Sequence, residues 1–144
     1  MSVGPQPTRQ RLGAFISRER CGLARPKRRE IAAAPLIFPR TGYTRQVLDK
    51  LFRPYRSRLQ IAMELPSIGM IKTFVAADVG VSIISESFAR DQVKTGEVKL
   101  LTVEGVDLWR ELALVYRRDR SLPRAVQALI NMIRELRKAP ETHD

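Results

Sequence analysis

Residues Leu65–Ser85 read LPSIGMIKTFVAADVGVSIIS, and this stretch decides the class of the fold. Pro66-Ser67 is the punctuation of a helix start, with Ser67 able to cap the free N–H groups of the first turn. Ile68, Ile71, Phe74 and Val75 then recur at helical spacing and make one apolar face. Asp78 and Gly80 break that pattern, and Val81-Ser82-Ile83-Ile84 reads as a short buried strand. Helix, tight turn, strand is the joint of an α/β protein. It leaves a helix N-terminus at the end of the preceding strand, where small anions bind.

Toward the N-terminus, Leu59–Glu64 alternates Leu59, Ile61 and Met63 with Gln60, Ala62 and Glu64, a half-buried strand. Before it, Val47, Leu48, Leu51, Phe52 and Tyr55 mark one face of a helix that stops near Pro54–Ser57. Ala34–Phe38 is an apolar strand closed by Pro39, and Arg40-Thr41-Gly42-Tyr43-Thr44 is a turn rich in hydrogen-bonding groups. Toward the C-terminus come a helix at Glu86–Val93, a turn at Lys94–Glu97 and a strand at Val98–Val103. A strand over Glu111–Arg118 follows, then a helix opened by Pro123 with Val126, Leu129, Ile130, Ile133 and Leu136 on its face. Gln10–Ile16 reads as a helical turn or two. Strands alternating with helices predict a parallel or mixed sheet covered by helices.

Composition narrows the chemistry. The 144 residues contain one cysteine, Cys21, and one histidine, His143, which excludes an intrachain disulfide and a His/Cys zinc site and argues against a histidine-based triad. No apolar run approaches a membrane span and no signal core opens the chain, so the expectation is a soluble, cytoplasmic protein with no membrane partner. The net charge of +11 is uneven, with +6 in residues 1–30 and +5 in the rest. That basic segment is either a solvated, disordered leader or an arm for an acidic partner such as nucleic acid. Its Arg-rich, acid-poor composition also mimics an organellar transit peptide, although the domain behind it points elsewhere.

Four pieces, IAAAPLIFPR, GYTRQVLDKLF, ELPSIGMIKTFVAADVGVSII and LALVYRRDRSLPRAVQALINMI, stand in order from Ile31 to about Leu136. In these the sequence resembles the C-terminal half of the effector-binding domain of LysR-type transcriptional regulators, a bacterial family. The resemblance implies an α/β, type 2 periplasmic-binding-protein-like fold, with one complete lobe at 35–103 plus the strand and helix of Leu112–Leu136 returning to the other lobe. Composition marks residues 1–30 as a basic, disordered leader that matches none of the family's missing pieces. The resemblance implies 31–138 as a partial effector-binding domain, and 139–144 is expected to be a disordered tail. The family's winged helix-turn-helix has no counterpart, so the resemblance implies a truncated regulator that meets DNA only through a domain outside this chain. Where the family often carries a first glycine before the buried strand, this sequence has Asp78-Val79-Gly80.

The resemblance also implies a small-molecule effector, a carboxylate or other anion, in the cleft between lobes, with no cofactor and no metal. By position in the motifs, effector contact falls to Arg40, Thr41, Tyr43, Thr44, Pro66, Ser67 and Ile68. Thr41 and Thr44 can donate hydroxyl hydrogen bonds, and Arg40 or Arg45 can pair with a carboxylate. The structural alternative is that Thr41, Thr44 and Ser67 are helix caps and nothing more. Gly80 reads as a turn rather than a phosphate loop, and no GxxxxGK[ST] is present. Glu64, Asp78 and Asp91 pair only by accident of folding. Arg117–Arg120 reads as a solvated strand edge, and Trp109 either packs where the chain crosses between lobes or stacks on an aromatic effector. An exposed apolar face on Leu112–Leu136 predicts a homo-oligomer. The rival functions are a small nucleic-acid-binding protein working through its basic arm and an enzyme, the latter opposed by the absence of a nucleophile motif.

Overall fold

The computed structural model describes residues 2–3, 8–20, 22, 25–116 and 121–138. In chain order they form β1 (Ser2–Val3), β2 (Thr8–Ser17), α1 (Arg28–Ala33), β3 (Pro35–Pro39), α2 (Tyr43–Leu51), a 3-10 helix (Arg53–Arg58) and β4 (Gln60–Leu65). There follow α3 (Ile68–Ala76), β5 (Ser82–Ser85), α4 (Glu86–Thr95), β6 (Val98–Leu101), β7 (Trp109–Leu112), β8 (Val115–Tyr116) and α5 (Arg124–Lys138). They divide into two compact units, Arg9–Arg110 and Met1–Thr8 with Glu111–Asp144.

In the Arg9–Arg110 unit, β2 lies between β5 and β6 and runs antiparallel to both, with Ala14 opposite Ile83 on one side and Leu101 on the other. β3 and β4 pair in parallel from Pro35–Gln60 to Pro39–Leu65. A parallel bridge between Leu36 and Val81 joins the two parts: Ile37 N–H donates to the Val81 carbonyl at 2.9 Å, and Val81 N–H donates to the Pro35 carbonyl at 2.8 Å. Gly80 makes this approach possible, since an added Cβ would stand 2.6 Å from the Pro35 oxygen.

Alternation along the strands sends successive side chains to opposite faces. Leu12, Ala14, Ile16, Leu36, Phe38, Val81 and Ile83 join Ile31, Leu48, Leu51 and Phe52 on the face covered by α1, α2 and the 3-10 helix. Phe15, Ile37 and Ile84 join Ile71, Val75 and Ala89 on the face covered by α3 and α4. Both faces are covered, as an α/β architecture requires.

One expectation fails inside the supposed leader. Thr8–Ser17 is neither disordered nor helical but a ten-residue strand, with Leu12–Ser17 buried. The reason is physical: a strand covered on both faces shows no alternation, and with arginines at 9, 11, 18 and 20 its short apolar run loses every periodic signal. Arg28–Glu30 are also ordered, opening α1. Cys21, His143, Arg117–Arg120 and the 139–144 tail lie outside the described residues.

In the other unit β1 pairs antiparallel with β8, and Arg134 donates to the Tyr116 hydroxyl at 3.2 Å. The strand expected over Glu111–Arg118 is the shorter pair β7 and β8, set apart by Ala113-Leu114. Of the apolar face expected on α5, Ile130 is buried whereas Val126, Leu129 and Ile133 are exposed; the Leu136 side chain lies outside the described residues. A two-residue strand pair is too small to cover a fifteen-residue amphipathic helix. Among the described residues no helix is long and apolar enough to cross a membrane.

Phe15 is fully buried on the central strand. Phe15→Ala is therefore expected to cost about 3–5 kcal/mol in chemical denaturation of the whole chain. A disordered leader would leave the midpoint unchanged.

Candidate functional site

Because β3 and β4 are parallel neighbours with Pro39 opposite Leu65, both chains leave the sheet at the same edge. The Arg40–Gly42 loop and the Pro66–Ser67 loop are thus side by side, tied by Arg40 N–H donating to the Leu65 carbonyl at 2.9 Å. Each loop opens a helix, so the N-termini of α2 and α3 meet at this edge. The fold therefore brings all seven residues singled out by sequence to one place: Arg40, Thr41, Tyr43 and Thr44 from the first loop and helix, Pro66, Ser67 and Ile68 from the second.

The two helix starts differ. Ser67 caps α3, its Oγ accepting from Met70 N–H at 3.2 Å, which leaves the hydroxyl proton free to donate. The cap of α2 is Gly42, at φ +97°, with no side-chain hydrogen bond. That backbone conformation is accessible to glycine and strained for other residues. Thr41 and Thr44 therefore do not cap, contrary to the purely structural alternative. Among the described residues their hydroxyls, the Tyr43 hydroxyl and the Arg40 guanidinium engage no protein partner. Arg40, Thr41, Tyr43, Pro66 and Ser67 are exposed, while Thr44 is half-buried and Ile68 packs against the core. The first turn of α2 thus offers unpaired N–H groups, and its dipole adds a partial positive charge.

Arg45 is not available in the same way. Its guanidinium donates to Asp49 Oδ1 at 3.0 Å, to Glu64 Oε1 at 2.5 Å and to the Pro39 carbonyl at 3.3 Å, and it lies 5.4 Å from the Phe38 ring centroid. The hydrogen bond to Glu64, first of all, holds its pKa above the ordinary value. Arg45 buttresses the loop and Arg40 faces solvent. The Asp49 contact was legible as an i,i+4 pair, but the contact with Glu64, nineteen residues away, was not.

Asp78 stands where the resemblance implies a glycine. It takes φ +59°, and its carboxylate accepts from the Ser17 hydroxyl and from Arg20 Nε at 2.6 Å, while Arg20 Nη2 reaches the Asp78 carbonyl at 2.9 Å. These contacts, the Ser17 hydroxyl foremost, hold the carboxyl pKa below its ordinary value. Asp78 and Glu64 each pair with an arginine, so no carboxylate pair forms between them. Trp109 is exposed rather than packed. Among the described residues no three His, Cys, Asp or Glu side chains cluster to hold a metal.

The LysR substrate binding domain model matches residues 8–138. The chain belongs to this family. The LysR match begins at β2, the strand that the basic leader concealed. A curated relative, the Uncharacterized HTH-type transcriptional regulator YeiE of Escherichia coli (strain K12), is 29% identical over 103 residues, covering 71% of this chain and 35% of the relative. The chain thus spans about a third of that regulator's length. Among solved structures, the regulatory domain of CcmR from Synechocystis PCC6803, in complex with 2-PG, superposes with a TM-score of 0.80 at 18% identity, covering 96% of this chain and 69% of that one. The effector-binding domain of QuiR, in complex with shikimate, gives 0.73 at 20% identity, covering 95% and 66%. The fold is α/β and type 2 periplasmic-binding-protein-like, and the family is one of ligand-binding domains of transcriptional regulators, not of enzymes.

The lowered pKa of Asp78 makes a pH prediction. Its contribution to stability is complete above the ordinary carboxylate pKa and is lost as pH falls through the depressed folded value. Asp78→Asn keeps a residue that tolerates φ +59° but removes the charge. The stability gap between wild type and this variant is expected to be widest near neutrality and to close in acid, measured by denaturation at a series of pH values.

Proposed function

We propose that the chain is the effector-sensing part of a LysR-family transcriptional regulator, holding a small anionic metabolite at the carboxyl edge of β3 and β4 and catalysing no reaction. The observation that carries this reading is the uncapped start of α2 beside the unpartnered Arg40 and Thr41, next to the Ser67 cap. N–H groups, hydroxyl donors and a cation converge there with no acid competing among the described residues, since Glu64 is held by Arg45. Tyr43 and Thr44 extend the donor set, and Pro66 and Ile68 shape the opposite wall. The 2-PG and shikimate bound by CcmR and QuiR are consistent with a small ligand. In an intact regulator, effector binding shifts the population of conformations and hence DNA affinity, through a DNA-binding domain outside this chain.

A thermal-shift series with shikimate, benzoate, citrate and free amino acids tests the site. A ligand that binds the native state at about a hundred times its Kd stabilises by about 2.7 kcal/mol. Arg40→Ala and Thr41→Ala remove groups with no structural partner, so the ligand-free melt should not move while the ligand-induced shift disappears. Ser67→Ala should lose the shift and also lower the ligand-free stability by about 1 kcal/mol, the worth of a cap. A folded chain with no shift for any ligand, or a shift indifferent to Arg40 and Thr41, overturns the reading.

We also propose that the chain self-associates. Leu112, Val115, Leu129 and Met132 are all exposed in the smaller unit, apolar side chains that a second copy of the chain would remove from water. Light scattering is expected to give a dimer or larger species; a clean monomer removes the proposal.

A further inference from the structure

The exposed 3-10 helix carries a concentration of charge that neither the fold nor the effector site uses. Residues 50–58, KLFRPYRSR, hold Lys50, Arg53, Arg56 and Arg58 and no acid. All four are exposed, and among the described residues none has an ion-pair partner. The nearest acid in sequence, Asp49, is already paired with Arg45.

The backbone beneath them is anchored. Pro54 opens the 3-10 helix, and Arg28 of α1 lays its guanidinium 5.6 Å from the Tyr55 ring centroid while donating to the Leu51 carbonyl at 3.4 Å. In 3-10 geometry residues i and i+3 eclipse with a rise of about 2 Å per residue, so Arg53 and Arg56 stand on one edge about 6 Å apart. Residues 86–99 of the same unit do not share this imbalance: Arg90, Lys94 and Lys99 are matched there by Glu86, Asp91 and Glu97.

We infer that Lys50–Arg58 is a second contact surface, for the sugar-phosphate backbone of duplex DNA, and that it reads no sequence. Three of the four cations are arginines, whose planar forks suit phosphate oxygens. A protein partner would need an apolar core to the patch, and none is offered: Leu51 and Phe52 are buried and the Tyr55 ring lies under Arg28. The setting agrees, since the curated relative is a helix-turn-helix transcriptional regulator. This surface needs neither the effector site nor the basic leader, whose Thr8–Ser17 portion is taken up by the sheet.

The test is fluorescence anisotropy of the full chain with a short random-sequence duplex between about 50 and 200 mM salt. Four phosphate contacts predict a slope of log K against log salt of about −3.6, and Arg53→Ala, Arg56→Ala and Arg58→Ala together should reduce its magnitude by about 2.7. A control of equal charge loss, Arg90→Ala with Lys94→Ala and Lys99→Ala, should leave the slope nearly as it was. Melting curves of both triple variants should match wild type, as all six side chains are exposed. The inference is overturned by absence of binding at low salt, by an unchanged slope in the first variant, or by an equal loss in the control. Equal affinity of the same patch for polyglutamate also overturns it, in favour of an acidic protein partner.

Discussion

The hydrogen bond from Val81 N–H to the Pro35 carbonyl, with its return from Ile37 N–H to the Val81 carbonyl, joins the two sheet parts of the larger unit. It is where the parallel pair β3–β4 meets the antiparallel set β5, β2 and β6. Gly80 is the condition for that contact, because any side chain there would meet the Pro35 oxygen. Once β3 is docked against Val81, its alternation places Leu36 and Phe38 in one core and Ile37 in the other. Its C-terminal end is then committed to the edge that β4 shares.

From that commitment the candidate site follows. Parallel neighbours deliver their following loops to one edge, which antiparallel neighbours do not. The chain uses this edge asymmetrically. One helix start is capped by its own Ser67, and the other is led by Gly42 and left open. Arg45, with Phe38 beneath it and Glu64, Asp49 and Pro39 around it, ties the first turn of α2 to the end of β4 and keeps the acids occupied. In the proposed reading, a carboxylate at this edge would meet donors and Arg40, with no unpaired acid beside them among the described residues.

Charge is distributed by the same logic. Part of the basic N-terminal segment is drawn into the sheet, where Leu12–Ile16 supply apolar surface to both cores. Arg20 turns back to Asp78 and offsets the cost of a left-handed backbone at a non-glycine residue. Arg28 is spent on Tyr55 and a helix carbonyl. Lys50 and the Arg53–Arg58 helix gather four exposed cations that have no ion-pair partner among the described residues.

The sequence by itself determined the elements whose physics is local. The Ser67 cap, the apolar faces of α2 and α3, the Gly96 stop of α4 and Pro123 before α5 are all written in neighbouring residues. The seven candidate site residues came from the resemblance, by position in its motifs, and the parallel pairing of β3 and β4 sets the two loops that carry them side by side. Tertiary structure alone decided that Thr8–Ser17 is the central strand, since a segment buried on both faces carries no period to read. It alone decided that Arg45 is a buttress while Arg40 stays free, because the partner that occupies Arg45 arrives from a strand nineteen residues away. And it alone left Thr41 and Thr44 uncapping, because the φ of Gly42 turns the chain into α2 without them.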